Sequence, residues 1–267
     1  MDRFERAGAA FARLCNLMGR LRAPGGCPWD REQTLESLKP YLIEEAYETL
    51  EAIEDRDLAE HCEELGDLLL QIVFQAELRA EAQEFDAADV ANGISDKLVR
   101  RHPHVFGDVK ADSAAGALRS WEGVKATERK GKTGRLDGVP KTMPALLRAF
   151  RMSEKAAAIG FDWPDIASVA KKVEEEWQEL HEAQANDTSE RTRLIEEELG
   201  DLLFALTSYA RHLKVDPESA LRGAADKFAR RFKHVEEDLK AMGKQGQKLP
   251  IEELERLWQE AKNTENR

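Results

Sequence analysis

Two acidic motifs in this chain have the residue types and the spacing of a metal site. Each has the form E-E-x-x-E, followed on a later segment by E-x-x-D. Carboxylates three residues apart share one face of an α-helix, so two such helices packed antiparallel would bring four carboxylates together. Oxygen ligands of this kind suit Mg²⁺, which keeps some of its waters. The residues are Glu44, Glu45, Glu48, Glu64 and Asp67 in the first motif, and Glu175, Glu176, Glu179, Glu198 and Asp201 in the second.

Two interpretations of these acids stay open, a metal site and an ordinary solvated helix face. On the first helix of each motif the glutamates lie away from the apolar stripe, which is typical of a solvated face. Asp67 and Asp201, by contrast, lie in "LGDLLLQIVF" and "LGDLLFAL", which are apolar on nearly every side. Such helices are expected to be buried in a bundle or in a subunit interface, and a buried acid without a partner cation is costly. This cost favours the metal site. A di-iron bundle is not indicated, because its motif needs a histidine three residues after a glutamate and none of the histidines here has that spacing.

Basic and aromatic residues recur at spacings suited to a phosphate and a base. A Mg²⁺ ion held by carboxylates is often shared with substrate phosphates, so cations are expected nearby. The segments "DKLVRRHPHV" and "DKFARRFKHV" each place a lysine and an arginine four apart, and "WEGVK" and "WQEAK" do so for a tryptophan and a lysine. The second pair would stack a base and hold a phosphate, or equally form a lysine packed over a core tryptophan. The candidates are Lys227, Arg230, Arg231, Trp258, Lys262 and Arg193 in the second half, and Lys97, Arg101, Trp121 and Lys125 in the first.

The elements that carry these residues form two similar halves. Apolar residues recur at helical spacing, and convincing strand patterns are absent. The segments "IEEAYETL", "EELGDLL", "DKLVRRHPHV" and "WEGVK" have counterparts in the same order, "VEEEWQEL", "EELGDLL", "DKFARRFKHV" and "WQEAK", at offsets between 130 and 137 residues. This match aligns Trp177 with Tyr47 and predicts that Trp177 packs in a core. We therefore predict a duplicated all-α domain, with copies at 1–130 and 145–267 and a linker rich in glycine at 131–144.

Composition limits the classes of partner. The net charge of -12 argues against a general nucleic-acid binder or a membrane-surface protein, because both targets are anionic. No apolar run approaches the ~20 residues that span a bilayer. Three cysteines without metal or redox spacing fit reduced thiols. We expect a cytoplasmic protein that forms no stable complex with nucleic acid. A small anionic ligand stays open, because it needs only a few local cations or a metal.

The motifs resemble those of the MazG-type nucleoside triphosphate pyrophosphohydrolases, whose hallmark is the E-E-x-x-E and E-x-x-D pattern. The resemblance covers nearly the whole chain in its tandem form, including "GGCPWDREQTLESLKPYLIEEAYE" near the start. It implies the all-α NTP pyrophosphatase fold, with helical-bundle domains that form a homodimer through their helices. It also implies Mg²⁺, with Mn²⁺ as a substitute. The reaction would be hydrolysis of many NTPs and dNTPs to the monophosphate and pyrophosphate, in nucleotide-pool housekeeping.

The same resemblance implies roles for individual residues. Glu44 and Glu175 would bind metal, orient water or act as the base, and the cations named above would hold phosphates with Trp258 near the base. The second copy would be the main catalytic one, although both copies keep every motif letter. The implied metal ligands are Glu176, Glu179, Glu198 and Asp201, with Glu45, Glu48, Glu64 and Asp67 as their equivalents in the first copy.

Three functions stay open at this point. The chain is a nucleotide pyrophosphohydrolase, a non-enzymatic scaffold or nucleotide-sensing dimer with solvated acids, or a mixture in which the first copy serves dimerisation or sensing. Repetition of the cations together with the acids favours an enzyme. The choice of base is expected to depend on the loops near 22–35 and 156–168, where no specificity pattern is readable.

Overall fold

The fold is that of a computed structural model, which describes residues 1–109, 111–128 and 134–265 apart from some side chains close to the gaps. Within these residues the regular secondary structure is helical and no strand occurs, so the predicted all-α class is confirmed. The chain divides into two compact units, Met1–Lys130 and Gly131–Arg267. The expected linker falls in the second unit, and its residues 131–133 lie outside the described part of the chain. None of the described helices is both long and apolar enough to cross a membrane.

The first unit is built around a helical hairpin. Its helices are α1 (Arg3–Arg22), α2 (Pro28–Glu32), α3 (Lys39–Asp55), α4 (Leu58–Glu81), α5 (Ala87–Arg101), α6 (Pro103–Phe106) and α7 (Ala114–Thr127). Helices α3 and α4 form the hairpin; α1 and α5 pack on α4, and α7 packs on α5 and α6. The hairpin turn is short because Arg56 takes the left-handed conformation, with φ of 58°. Asp57 then caps α4 through its carboxylate, which accepts hydrogen bonds from the N–H groups of Ala59 and Glu60.

A buried apolar cluster joins α1 to α4 in this unit. It contains Met18, Leu38, Val73 and Phe74. Arg22 closes one side of the cluster, with its guanidinium 5.6 Å from the centre of the Phe74 ring. The same guanidinium donates to both carboxylate oxygens of Glu81, at 2.6 and 2.7 Å. This side chain therefore ties the end of α1 to the end of α4.

The second unit repeats the arrangement with fewer helices. They are α8 (Ala145–Ala157), α9 (Ile166–Ala185), α10 (Arg191–His212), α11 (Pro217–Ala241) and α12 (Ile251–Glu265). Helices α9 and α10 form the central hairpin, α8 packs on α10, and α11 packs on α8, α10 and α12. Asp165 caps α9 by accepting a hydrogen bond from the N–H of Ser168. The two hairpins, α3–α4 and α9–α10, are thus equivalent elements of the two units.

Burial fixes the register between the equivalent helices. Thr49 and Ala52 are buried on α3, and Leu180 and Ala183 are buried on α9, which sets an offset of 131 residues. The connection after α9 is three residues longer than the one after α3, so the offset becomes 134 between α4 and α10. The sequence alignment of Trp177 with Tyr47 was therefore wrong by one residue. Trp177 corresponds to Ala46, and its side chain is 54% exposed and not in a core.

Candidate metal centre

Three carboxylates converge in the second unit. Glu176 comes from α9, and Glu198 and Asp201 come from α10, which runs alongside it. One oxygen of each side chain lies within 4.8 Å of the others. The spacing on α10 is the reason, because residues three apart share a helix face. The structure thus brings together three of the four predicted ligands of this copy.

The fourth predicted ligand, Glu179, belongs to the same electrostatic cluster. It lies three residues after Glu176 on α9, and burial followed by the negative charge of Glu176 raises its pKa. The charge of Glu198 acts in the same direction, whereas Lys172 opposes it. Carboxylates that raise each other's pKa are close enough to repel, and a bound cation would relieve that repulsion.

The first unit contains the equivalent cluster. Oxygens of Glu45, Glu48 and Glu64 lie within 4.8 Å of one another. Burial, followed by the charge of Asp67, raises the pKa of Glu45. Burial raises the pKa of Glu64 too, and the charges of Glu48 and Asp67 add to it. All four predicted residues of this copy therefore act on one another, while Glu44 lies outside the converging group and is exposed.

Burial within one chain is incomplete on the helices around Asp67 and Asp201. Leu65, Leu199 and Leu203 are 44 to 48% exposed, so the burial expected for these helices, in a bundle or a subunit interface, is not reached inside one chain. Asp201 is exposed as well. The most buried carboxylate is Glu176, 6% exposed, on the helix whose glutamates had the pattern of a solvated face. The energetic demand for a partner cation therefore falls on α9.

The two copies satisfy this demand differently. In the second, Lys172 Nζ lies 2.6 Å from an oxygen of Glu175 and 2.7 Å from one of Glu176. These contacts raise the pKa of the Lys172 ammonium. In the first, the side-chain amide of Gln71 donates to Glu45 at 3.4 Å. The register places Tyr41 opposite Lys172, so this internal cation is specific to the second copy.

Lys172 was missing from the residues predicted from the sequence. Its signal was present, because a lysine three and four residues before two glutamates is one helical turn from both. The acidic pattern alone directed attention to the carboxylates. Glu175 and Lys172 form an exposed pair at the edge of the cluster, and Glu175 is not among the three converging carboxylates.

The donor set fits a hard divalent cation. Each cluster offers carboxylate oxygens only, which is the ligand type that Mg²⁺ and Mn²⁺ favour. An octahedral Mg²⁺ holds oxygens at about 2.1 Å, so its ligand atoms lie roughly 3 to 4 Å apart. The converging oxygens of each cluster lie within 4.8 Å of one another, which is close to that spacing. Glu176, Glu179, Glu198 and Asp201 would hold the ion in the second copy.

The predicted phosphate and base contacts of the second copy lie mainly on a separate hairpin. Lys227, Arg230 and Arg231 are on α11, which packs against α12, the helix of Trp258 and Lys262. The Trp258 ring lies 5.1 Å from the ring of Phe228 and packs against the buried cluster of Val235, Leu257 and Ala261. Trp258 is therefore half-buried in a local core, as the structural alternative required.

Arg193 and Arg101, two of the remaining predicted contacts, form ion pairs with carboxylates of their own unit. Arg193 lies on α10 and pairs with Glu190 and Glu197 on its own surface. In the first unit, Arg101 donates to Glu128 at 2.6 Å and lies 5.3 Å from the centre of the Trp121 ring. Lys97 precedes Arg101 by one turn on α5. The side chain of Lys125 lies outside the part of the chain that the structure describes.

Comparison with known proteins places this geometry in a family. The family model of the MazG nucleotide pyrophosphohydrolase domain matches residues 33–106 and 165–236. The chain is 47% identical to a Thermotoga maritima protein named nucleoside triphosphate pyrophosphohydrolase/pyrophosphatase MazG, over 97% of this chain and 98% of that protein. It belongs to the MazG family. The tandem arrangement and the pyrophosphohydrolase class expected from the motifs are confirmed.

Two further relatives match nearly the whole of this chain. The nucleoside triphosphate pyrophosphohydrolase of Escherichia coli is 44% identical over 95% of this chain and 97% of that protein. The uncharacterized protein YabN of Bacillus subtilis is 44% identical over 96% of this chain but only 52% of its own length. Each matched MazG segment here includes one acidic cluster and the basic helix that follows it. The α7 and α12 tryptophans lie outside the matched segments.

Proposed function

We propose that this chain hydrolyses nucleoside triphosphates, both NTPs and dNTPs, to the monophosphate and pyrophosphate with Mg²⁺, for which Mn²⁺ substitutes. The observation that carries the proposal is the convergence of Glu176, Glu198 and Asp201 in a member of this family. Its relatives from Thermotoga maritima and Escherichia coli are named for the same reaction type. Removal of surplus or damaged nucleotides in the cytoplasm is the cellular role that follows.

The chemistry divides between the carboxylates and the ion they would hold. A bound divalent ion supplies charge neutralisation at the phosphates and a more acidic water. Glu176, Glu198 and Asp201, with Glu179 beside them, would hold that ion. Glu179, beside these three carboxylates, is proposed as the general base that takes a proton from water. Burial, followed by the charge of Glu176, raises the pKa of its carboxyl group.

Lys172 and Glu175 act at the edge of this cluster. The Glu175 carboxylate holds the Lys172 ammonium beside Glu176, so the ammonium is already in place when an anionic substrate arrives. A phosphate oxygen would then compete with Glu176 for the ammonium. Glu175 is a positioning residue in this scheme, and Lys172 contacts the substrate. The cations of α11 and α12, Lys227, Arg230, Arg231 and Lys262, would meet the outer phosphates and the pyrophosphate leaving group.

The second copy is proposed as the main catalytic one. Its cluster has the internal cation that the first copy lacks, since Tyr41 stands where Lys172 would be. The first copy would then serve nucleotide sensing or dimerisation.

A homodimer is part of the proposal. Apolar side chains on α4 and α10, among them Leu65, Ile72, Leu199 and Leu203, are 42 to 48% exposed within one chain. Exposed apolar side chains on a helix face are typical of an interface. Light scattering after gel filtration measures the mass directly. A Leu203→Glu variant is expected to elute as a monomer, and a monomeric wild type would refute the dimer.

Product analysis tests the activity itself. The protein is incubated with each NTP and dNTP in the presence of Mg²⁺, and the products are separated by ion-exchange chromatography. The expected products are the monophosphate and pyrophosphate in equal amounts, abolished by a chelator. Release of single phosphates, or no turnover of any nucleotide, would contradict the proposal and favour a sensing or scaffold dimer.

A further inference from the structure

Two histidines meet at the corner between α5 and α6 in the first unit. The centres of the His102 and His104 rings lie 5.5 Å apart, and the ring planes are inclined by 56°. Both residues are partly buried. Neither belongs to a carboxylate cluster or to the predicted phosphate contacts, so the proposed mechanism gives this pair no task.

Pro103 is the reason that the two rings meet. Residues two apart on a continuous α-helix point in nearly opposite directions, so an unbroken helix would separate them. A proline disfavours the helical conformation in the residue before it, and His102 has φ of -118° and ψ of 57°. Helix α5 therefore ends one residue before His102, and α6 begins one residue after it. The resulting corner brings both rings to one side.

The second copy lacks this corner. At the offset of 130 residues it has Phe232 in place of His102 and Lys233 in place of Pro103. Helix α11 continues through this segment as far as Ala241. The remaining imidazole, that of His234, is 44% exposed and lies 3.6 Å from a carboxylate oxygen of Glu237. Paired imidazoles are therefore a property of the first copy.

The hydrogen bond of His102 prepares its ring to bind a metal ion. Its Nδ1 atom lies 2.7 Å from the carbonyl oxygen of Leu98. A carbonyl oxygen only accepts, so Nδ1 carries the proton and Nε2 of the neutral ring keeps a lone pair. Histidines that bind metals have this arrangement, in which the second ring nitrogen donates to a carbonyl or a carboxylate. The corner is also fixed, because the His102 carbonyl accepts hydrogen bonds from the N–H groups of Val105 and Phe106, at 2.9 and 3.0 Å.

The ring of His104 has an unsatisfied nitrogen. Its Nδ1 atom is buried and has no hydrogen-bond partner among the described residues. Such an atom is costly, and in native proteins a water or an ion usually accounts for it. Imidazole nitrogens lie about 2.1 Å from a bound Zn²⁺, so two rings on one ion have their centres roughly 5 Å apart. The observed separation of the rings is close to that value.

We propose that His102 and His104 bind a transition-metal ion, Zn²⁺ or Ni²⁺, through one nitrogen of each ring, with water completing its coordination. Imidazole suits these ions, whereas Mg²⁺ prefers oxygen ligands. The chain therefore has two classes of metal site, one of imidazole nitrogens at this corner and one of carboxylate oxygens on each hairpin. The histidine site does not rest on the proposed hydrolysis.

The surroundings of the corner define what a bound ion does. It links the end of α5 to α6, and α7 packs on both helices, so binding stabilises the folded first unit. Arg100 and Arg101 share the carboxylate of Glu128, at 2.6 Å each, and leave one positive charge in the neighbourhood. Two protein ligands and that charge make this a site of moderate affinity, which fills and empties with the supply of the metal.

Calorimetric titration of tag-free protein with Zn²⁺ tests the site, in an excess of Mg²⁺ that competes for the carboxylate clusters. The expected result is a Zn²⁺-binding step whose affinity falls by at least about tenfold in His102→Asn and in His104→Asn. His234→Asn changes the equivalent histidine of the second copy and is the matched control, which should bind Zn²⁺ as the wild type does. Unchanged binding in both His102→Asn and His104→Asn would overturn the proposal and assign a water to the His104 nitrogen.

A second measurement needs no change at the corner, so it covers variants that fail to fold. Electron paramagnetic resonance of the His234→Asn protein with equimolar Cu²⁺ is expected to show hyperfine splitting from imidazole nitrogens. A spectrum of oxygen ligands alone would overturn the proposal. Thermal unfolding completes the test, because Zn²⁺ should raise the unfolding temperature of the wild type and leave that of His102→Asn unchanged. An equal rise in both proteins would place the ion elsewhere and refute the corner site.

Discussion

The Nζ atom of Lys172 lies 2.7 Å from Oε1 of Glu176, the most buried carboxylate of either cluster. The first copy has Tyr41 at the equivalent position and stabilises Glu45 with the neutral amide of Gln71. Two sites with the same acidic motif therefore start from different net charges. A positive group in contact with a ligand oxygen opposes the approach of a divalent cation.

Removal of Lys172 is expected to tighten metal binding and weaken substrate binding. In Lys172→Met, calorimetric titration with Mn²⁺ in the absence of nucleotide should show the affinity of one of the two sites rising about tenfold. The KM for NTPs should rise because a phosphate contact is lost. Lys171→Met removes the exposed neighbouring lysine and serves as the matched control. Identical metal affinities in wild type and Lys172→Met would show that the ion pair has no influence on the site.

Neutralising one ligand in each copy separates their roles. Glu198→Gln removes a charge from the cluster of Glu176 and Asp201, and Glu64→Gln makes the same change in the first copy. We expect Glu198→Gln to lower kcat by about 100-fold or more, and Glu64→Gln to lower it by less than about threefold. Initial rates at saturating ATP and Mg²⁺ measure both. Equal losses would refute a division of labour between the copies.

The acidic clusters are expected to destabilise the metal-free fold at neutral pH. Burial and the charges of Glu48 and Asp67 raise the pKa of Glu64, so the folded state binds its proton more tightly than the unfolded state does. The stabilising effect of protonation is therefore present at low pH and is lost as pH rises through the raised pKa. Glu64→Gln should raise the unfolding temperature at pH 7.5 in the presence of a chelator. That gain should shrink as pH falls towards about 4.3, the ordinary glutamate pKa.

With Mg²⁺ present, the wild type should have the higher unfolding temperature of the two, because the ion binds to its folded state and stabilises it. Thermal unfolding at pH 7.5 with and without Mg²⁺ makes the comparison. Glu60→Gln, on the same helix but outside the cluster, should not gain stability in the chelator. A lower unfolding temperature for metal-free Glu64→Gln would mean that the carboxylate has a stabilising partner, contrary to the repulsion inferred here.

The ion pair between Arg22 and Glu81 is expected to contribute measurable stability to the first unit. Arg22 is nearly buried over Phe74, whereas Glu81 is 41% exposed, so solvent screens part of the interaction. Arg22→Met should lower the free energy of unfolding by about 2 kcal/mol, because it also leaves Glu81 and the carbonyl of Asp30 without their donor. Denaturant titration measures this change in the free energy of unfolding. Arg79→Met, which breaks the exposed pair with Glu84, should cost less than about 1 kcal/mol.

The two copies show which features of the site could be predicted from sequence patterns and which could not. Residues three apart share a helix face, so the convergence of Glu45, Glu48 and Glu64 could be predicted from the spacing of the acidic motifs. The register of the repeat could not, because "VEEE" in the second copy allows two alignments of its glutamates. The burial of Leu180 and Ala183 selected one alignment and moved Trp177 to the surface. The residues next to a tryptophan in an acidic segment do not indicate whether it lies on the buried or the exposed face of the helix.

The sequence by itself determined the all-α class, the duplication, the family and the converging carboxylates of the candidate metal centre, because these depend on residue type and on spacing within single helices. Tertiary structure decided which acid is buried, since burial of Glu176 depends on what α10 presents to α9. It also decided that Arg22 and Phe74 fill a core in one copy while Ala156 and Ser208 leave a cavity in the other. Those residues are more than 50 positions apart in each copy, and only packing brings them together.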